Sequence, residues 1–178
     1  MNKIITKVKS YLLVLVMIVG YTTVFSQNMT NGSSTGCGGT FYDSGGAGSD
    51  HGDAENFTYT FCPDPGLQVQ VDFTSFITHS GDDFLTIYNG DDITGTNMGV
   101  YSGTNSPGTV LGNNPTGCLT FVWESGPDGN GAMSVTTEDG WEATVTCQIP
   151  CQPVIASLTS NLIEELCMGD SFTANGSA

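Results

Sequence analysis

In the heptapeptide LQVQVDF, residues 67 to 73, Leu67, Val69, Val71 and Phe73 alternate with Gln68, Gln70 and Asp72. Successive side chains of a strand point to opposite faces, so this stretch has one apolar face and one wet face and fits a sheet buried on a single side. A helix would scatter the same apolar residues around its circumference. The device recurs in Phe57, Tyr59 and Phe61, in Leu119, Phe121 and Trp123, and in Trp141, Ala143 and Val145. FLTIY, 84 to 88, is apolar on both faces, as an inner strand would be. Gly, Pro, Asn and Asp separate these runs and supply turns. Several short strands over about 110 residues predict an all-β, two-sheet antiparallel sandwich.

The chain opens with Lys3, Lys7 and Lys9, an apolar run from Tyr11 to Phe25, and the small residue Ser26. That order is the one a secretory signal has, and the run is shorter than the roughly 20 residues a membrane-spanning helix needs. Residues 1–26 therefore read as a leader, with no membrane insertion of the mature chain and a secreted or cell-surface destination. All three lysines lie in this leader, and there is no arginine; the eighteen acidic residues all follow it. Nucleic acid and anionic lipid are poor partners for such a surface, because affinity for both rests on Lys and Arg. The only side-chain cations left are His51 and His79, so salt bridges read as unavailable to the mature chain.

Six cysteines, at 37, 62, 118, 147, 151 and 167, all follow the leader. An even count in an exported chain points to disulfides, with the pairing open, and no C-x-x-C pair suggests zinc. Residues 27–36 are polar and Ser/Gly-rich and read as a linker. Residues 148–153 read as a second, Pro-punctuated linker, and 154–178 as the truncated start of another β-domain.

Taken in order, Cys37-Gly38-Gly39-Thr40, FTYTFCPDPG, VQVDFTSF, DDFLTIYNG, LGNNP, CLTFVWES and GWEATV resemble the successive strands of a CUB domain over residues 37–147. The most specific pieces are F-x-x-F followed by D-aromatic-L-x-I-Y-x-G, and the closing G-aromatic-x-A. CxGTFYDSGG and GCLTF are similar to bacterial CUB-like modules of large surface proteins in gliding bacteria, and CMGDSFTANGS resembles the opening of a PKD-type, immunoglobulin-like repeat. The resemblance implies a CUB-type jelly-roll sandwich that binds extracellular protein or glycan without catalysis. An alternative role is that of accessory domain to a secreted protease or glycosidase whose catalytic part lies beyond residue 178.

Many CUB domains hold calcium between loops at one end. The family's ligand positions fall near His79, at Asp83 and at Glu124, so the resemblance implies a calcium site at Asp83 and Glu124, completed by Asp82 and Ser125, with a histidine where the family has a glutamate. Calcium takes six to eight oxygens, and imidazole nitrogen is a poor ligand for it. The cysteines depart from the family's positions. The expected pairs are Cys37–Cys62, Cys118–Cys147, because antiparallel final strands would bring one start beside the other's end, and, by what remains, Cys151–Cys167. The second pair has a parity conflict, since Cys118 is on the face opposite Leu119 whereas Cys147 shares a face with Ala143 and Val145.

Catalytic patterns are weak. GSSTG, 32–36, matches G-x-S-x-G but lacks the strand-to-helix elbow that exposes a nucleophile. GAGSDHG, 46–52, fails the spacing of a dinucleotide loop. His51 between Asp50 and Asp53 reads as a polar loop, and Asp91 with Asp92 as a turn closing a strand. Among Tyr42, Tyr88, Tyr101, Trp123 and Trp141, candidates for stacking on sugars, Trp141 belongs in the core and Tyr101 is the best placed to face solvent.

Overall fold

Alternation along the chain becomes two five-stranded layers in a computed structural model that describes residues 25–127 and 140–151. The strands are β1 (Ser26–Asn28), β2 (Gly32–Thr35), β3 (Gly39–Tyr42), β4 (Asn56–Cys62), β5 (Gln68–Ile77), β6 (Phe84–Asn89), β7 (Thr96–Tyr101), β8 (Thr109–Leu111), β9 (Leu119–Glu124) and β10 (Gly140–Gln148). One sheet runs β1-β3-β10-β5-β8 and the other β2-β4-β9-β6-β7. The expected all-β sandwich is the observed fold.

The inward faces are those the period-two pattern predicts. Val69 and Val71 of β5, Phe41 of β3, and Trp141, Ala143 and Val145 of β10 face Tyr59 and Phe61 of β4, Leu85 and Ile87 of β6, and Leu119, Phe121 and Trp123 of β9. Phe41 sits among the rings of Phe61, Phe121 and Trp141, with centroids 5.0, 5.3 and 5.8 Å away. Each such side chain contributes about 1.5–3 kcal/mol by leaving water. The inner position read for FLTIY is correct, since β6 lies between β9 and β7.

A bulge rescues the parity of the long β5–β10 ladder. Glu142 pairs with Ser75 and Ala143 with Phe73, so Thr74 is left over and bonds the Glu142 carbonyl through its hydroxyl at 3.0 Å. The extra residue turns Phe76 inward, opposite Trp141, and their rings stack at 6.2 Å.

Three expectations need correction. Residues 27–36 are not a linker: β1 pairs in parallel with β3 and β2 in parallel with β4, one on each sheet, and Met29 between them is 2% exposed. These edge strands hold by backbone pairing, which leaves no apolar alternation to read. The sheets are consequently mixed, antiparallel except at these two edges. The disulfides are Cys37–Cys147 and Cys62–Cys118, not Cys37–Cys62 and Cys118–Cys147. β9 and β10 lie in different sheets, so the last two strands are not neighbours. Phe61 pairs with Leu119 and Gly39 with Val145, and continuing each register by one or two residues sets Cys62 opposite Cys118 and Cys37 opposite Cys147, with Cα separations of 4.3 and 5.3 Å. Each bridge staples two strands of one sheet, and the parity conflict disappears.

Cys151 is also disulfide-bonded; its expected partner Cys167 lies outside the described residues. So do residues 1–24 of the leader and the 154–178 segment read as a further β-domain, while Ser26 at the expected cleavage point begins β1. Among the described residues no helix is long and apolar enough to cross a membrane.

Candidate functional site

Four connections meet at one end of the sandwich: residues 43–55 after β3, 78–83 before β6, 102–108 after β7, and the segment leaving β9 at Ser125. Asp83 stands at their junction. Its carboxylate Oδ2 accepts the His79 backbone N–H at 2.9 Å, and Oδ1 accepts that of Gly126 at 3.0 Å. The His51 Nε2 lies 3.1 Å from Oδ2, and both side chains are 4% exposed. The ring N–H is not aligned on that oxygen, so the contact is an ion pair more than a directed hydrogen bond. His51 is held edge-on to Trp123, with centroids 4.9 Å apart, and its Nδ1 faces the Gly52 carbonyl at 3.2 Å.

The neighbouring groups form a closed network. Ser125 Oγ accepts the Glu55 N–H at 2.9 Å and donates to the Gly52 carbonyl at 2.8 Å. Glu55 Oε2 accepts the indole N–H of Trp123 at 3.1 Å and the hydroxyl of Ser44 at 2.5 Å. Asp43 is fully buried, and its two oxygens accept the N–H groups of Gly45 at 2.7 Å and Trp141 at 3.0 Å. Gly140 is obligatory beside it: its φ is +67°, and a Cβ would overlap Asp43 Oδ2. On the far side, residues 78–83 and 102–108 are tied by Gly103 N–H to Thr78 Oγ1 at 2.9 Å and by Ser102 Oγ to the His79 carbonyl at 3.2 Å.

Burial opposes the positive charge on His51, but Asp83, the Gly52 carbonyl and Asp43 outweigh it and push its pKa up to about 9. Burial likewise opposes the charge on Asp83, yet His51 and the two backbone donors hold that carboxyl below the usual aspartate range. For Asp43 burial prevails over the Gly45 and Trp141 donors and the charge of His51, and its pKa is raised. A histidine whose folded pKa exceeds its free value of 6.5 stabilises fully below that pH and loses the contribution as pH rises through about 9. Asp83, depressed in the fold, adds stability above its free value of 3.8 that is lost as pH falls through its folded value; Asp43, raised, works in the opposite sense there. The thermal midpoint is expected to decline between neutral pH and pH 10, and the decline to flatten in His51→Gln. A wild-type profile level across that range would refute the pairing.

The four residues expected to hold calcium gather at this end, but they do not form a calcium shell. Both oxygens of Asp83 are committed to N–H groups and to a cationic ring. Asp82 is exposed and pairs with His79 Nδ1 at 3.0 Å. Glu124 is exposed beside Asn56 Nδ2 at 3.5 Å, and both bonds of the Ser125 hydroxyl stay within the protein. Among the described residues no group of three or more His, Cys, Asp or Glu side chains is arranged to hold a metal ion. Among the described residues, these four donors do not fit the ion.

Other candidates resolve simply. GSSTG spans β2, so its serine lies in an edge strand rather than on an elbow. Asp92 closes the β6–β7 turn: its carboxylate accepts the Thr94 hydroxyl and N–H at 2.6 and 2.7 Å, which lower its pKa. His51 takes Asp83, not a loop neighbour, as its ion-pair partner, and His79 takes Asp82, which corrects the expectation that salt bridges are unavailable: histidines supply the pairing that Lys and Arg cannot. Trp141 is 1% exposed and Trp123 fully buried, while Tyr101 is half-buried against the core. Sequence reasoning missed Asp43 and Glu55. Asp43 carried a signal, since it continues the inward parity of Phe41 and opens an Asp-Ser-Gly turn.

The chain matches no family model and no curated protein. Among solved structures it is similar to the full extracellular region of zebrafish Gpr126/Adgrg6, at 15% identity and a TM-score of 0.51, over 68% of this chain and 15% of that one. It is also similar to the CUB1-EGF-CUB2 domains of rat MASP-1, at 16% identity and 0.49, over 65% of this chain and 41% of that one. The fold is a sandwich of two five-stranded sheets. A further similarity, at 16% identity and 0.41, is to the MASP-1 CUB2 domain bound to Ca2+, over 54% of this chain and 80% of that one. At these identities the likeness is one of fold, and the chain spans less than half of the first two proteins.

Proposed function

We propose that this chain is a secreted or cell-surface binding module that recognises an extracellular protein or glycan without catalysing a reaction, within a longer surface protein of the kind found in gliding bacteria. The observation that carries the reading is the consumption of the acid–base groups at the loop end in internal pairing. Asp43, His51, Glu55 and Asp83 hold loops to one another instead of facing a cleft. Such a frame presents exposed Ser80, Thr104 and Asn105 from rigidly tied connections, which suits recognition by surface complementarity. Disulfides in both sheets suit an oxidising compartment. The extracellular origin of the zebrafish neighbour is consistent with this placement.

The test is a screen of the full chain against arrayed glycans and extracellular proteins, followed by titration of each hit. Saturable binding that weakens about tenfold or more on Asn105→Trp or Ser80→Trp, with an unchanged unfolding midpoint, is the expected result. Binding indifferent to both substitutions, or turnover of a hit by the purified chain, would refute it.

A further inference from the structure

The protein has two histidines, no arginine, and no lysine beyond residue 9. Both histidines are placed at one point. His51 Nε2 is 3.1 Å from Asp83, and His79 Nδ1 is 3.0 Å from Asp82, so the only side-chain cations of the strand region sit on one aspartate pair. The two pairs differ in kind. His79 and Asp82 are more than half exposed, where screening leaves little net attraction. His51 and Asp83 are almost completely covered, where an unpaired carboxylate is costly.

We propose that His51 is the resident cation of this end of the sandwich: its ring takes the position beside Asp83 that a divalent ion would need and locks residues 43–55 to 78–83 and Gly126, so that the loop end is ordered without calcium. Geometry carries the inference. The ring is wedged between Trp123 and Asp83, the carboxylate's remaining capacity goes to His79 and Gly126 N–H groups, and Glu124 is not turned toward it. An ion at Asp83 would have to displace the ring, and the described side chains nearest it, Asp82, Glu124 and Ser125, are engaged elsewhere and do not supply the six to eight oxygens it requires. The carboxylates around His51 also favour a cation there: Asp83 and Asp43 act on it directly, Glu55 lies across Trp123, and Asp50 and Asp53 flank it in the chain. This holds whatever the module binds.

Two measurements on the full chain test it. In the first, wild type is unfolded thermally in chelator and in millimolar calcium chloride, and calcium is titrated calorimetrically into wild type and Asp83→Asn. Equal midpoints, with any calcium heat surviving in Asp83→Asn, are expected; a native-state ligand would raise the midpoint. A higher midpoint in calcium, or saturable binding abolished by Asp83→Asn, would overturn the proposal. In the second, His51→Gln, Asp83→Asn and the double variant are compared at pH 6. The double variant should lose clearly less than the sum of the single losses, whereas additive losses would reduce His51 to packing and overturn it. His79→Gln is the control and should leave the midpoint near wild type. Should the Asp83 variant not fold, the wild-type midpoint in calcium against chelator still decides.

Discussion

Replacing Cys37 and Cys147 together by serine is expected to lower unfolding free energy by about 4–5 kcal/mol. The bridge joins residues 110 apart, and opening so long a loop returns its closure entropy to the unfolded state. It also fastens the end of β10 to the start of β3, so both sheet neighbours lose an anchor. The Cys62–Cys118 pair, separated by 56, is expected to cost about 4 kcal/mol, because closure entropy grows only with the logarithm of loop length. Its loop is nested inside the larger one, so removing both bridges should cost less than the two losses summed. Urea unfolding of the three variants, with peptide mapping of the wild-type bridges, checks this. A loss below about 1 kcal/mol for the first pair, or a mapped Cys37–Cys62 bridge, would contradict the topology.

Trp123→Ala should be the most damaging single substitution, at about 3–5 kcal/mol. The indole is fully buried, meets Trp141 edge-on at 4.9 Å, forms one wall for His51, and donates its N–H to Glu55. Alanine leaves a cavity under the loop end and removes a donor from the half-buried Glu55 carboxylate. Trp123→Phe keeps an aromatic wall and loses the N–H, so about 1–2 kcal/mol is expected. The order alanine, then phenylalanine, then wild type in urea unfolding is the check, and an alanine variant within about 1 kcal/mol of wild type would remove Trp123 from its central place.

Strands were legible wherever one face is buried and the other wet. Val69 and Val71, Leu119, Phe121 and Trp123, and Trp141 and Ala143 are core residues because burial imprints a period of two on the local sequence. β1 and β2 were not legible, since polar edge strands held by backbone bonds leave no such imprint. The loop-end cluster was half legible: Asp83 stands at a strand start where its motif put it, whereas His51 arrives from a distant loop that no local pattern ties to Asp83. The same limit misled the cysteines. Antiparallel geometry is the right rule for pairing them, but β9 and β10 belong to opposite sheets.

Residue order alone dictated a two-layer β architecture, an inward set of side chains, and an acidic surface with almost no cations of its own, because each follows from neighbours a few positions apart or from composition. Packing of the two sheets decided which cysteine meets which, that the first two strands each cover one edge of a sheet, and that His51 faces Asp83. Alternation tells a side chain which face to take but not which strand lies beside it; that choice is made only when distant segments close against one another.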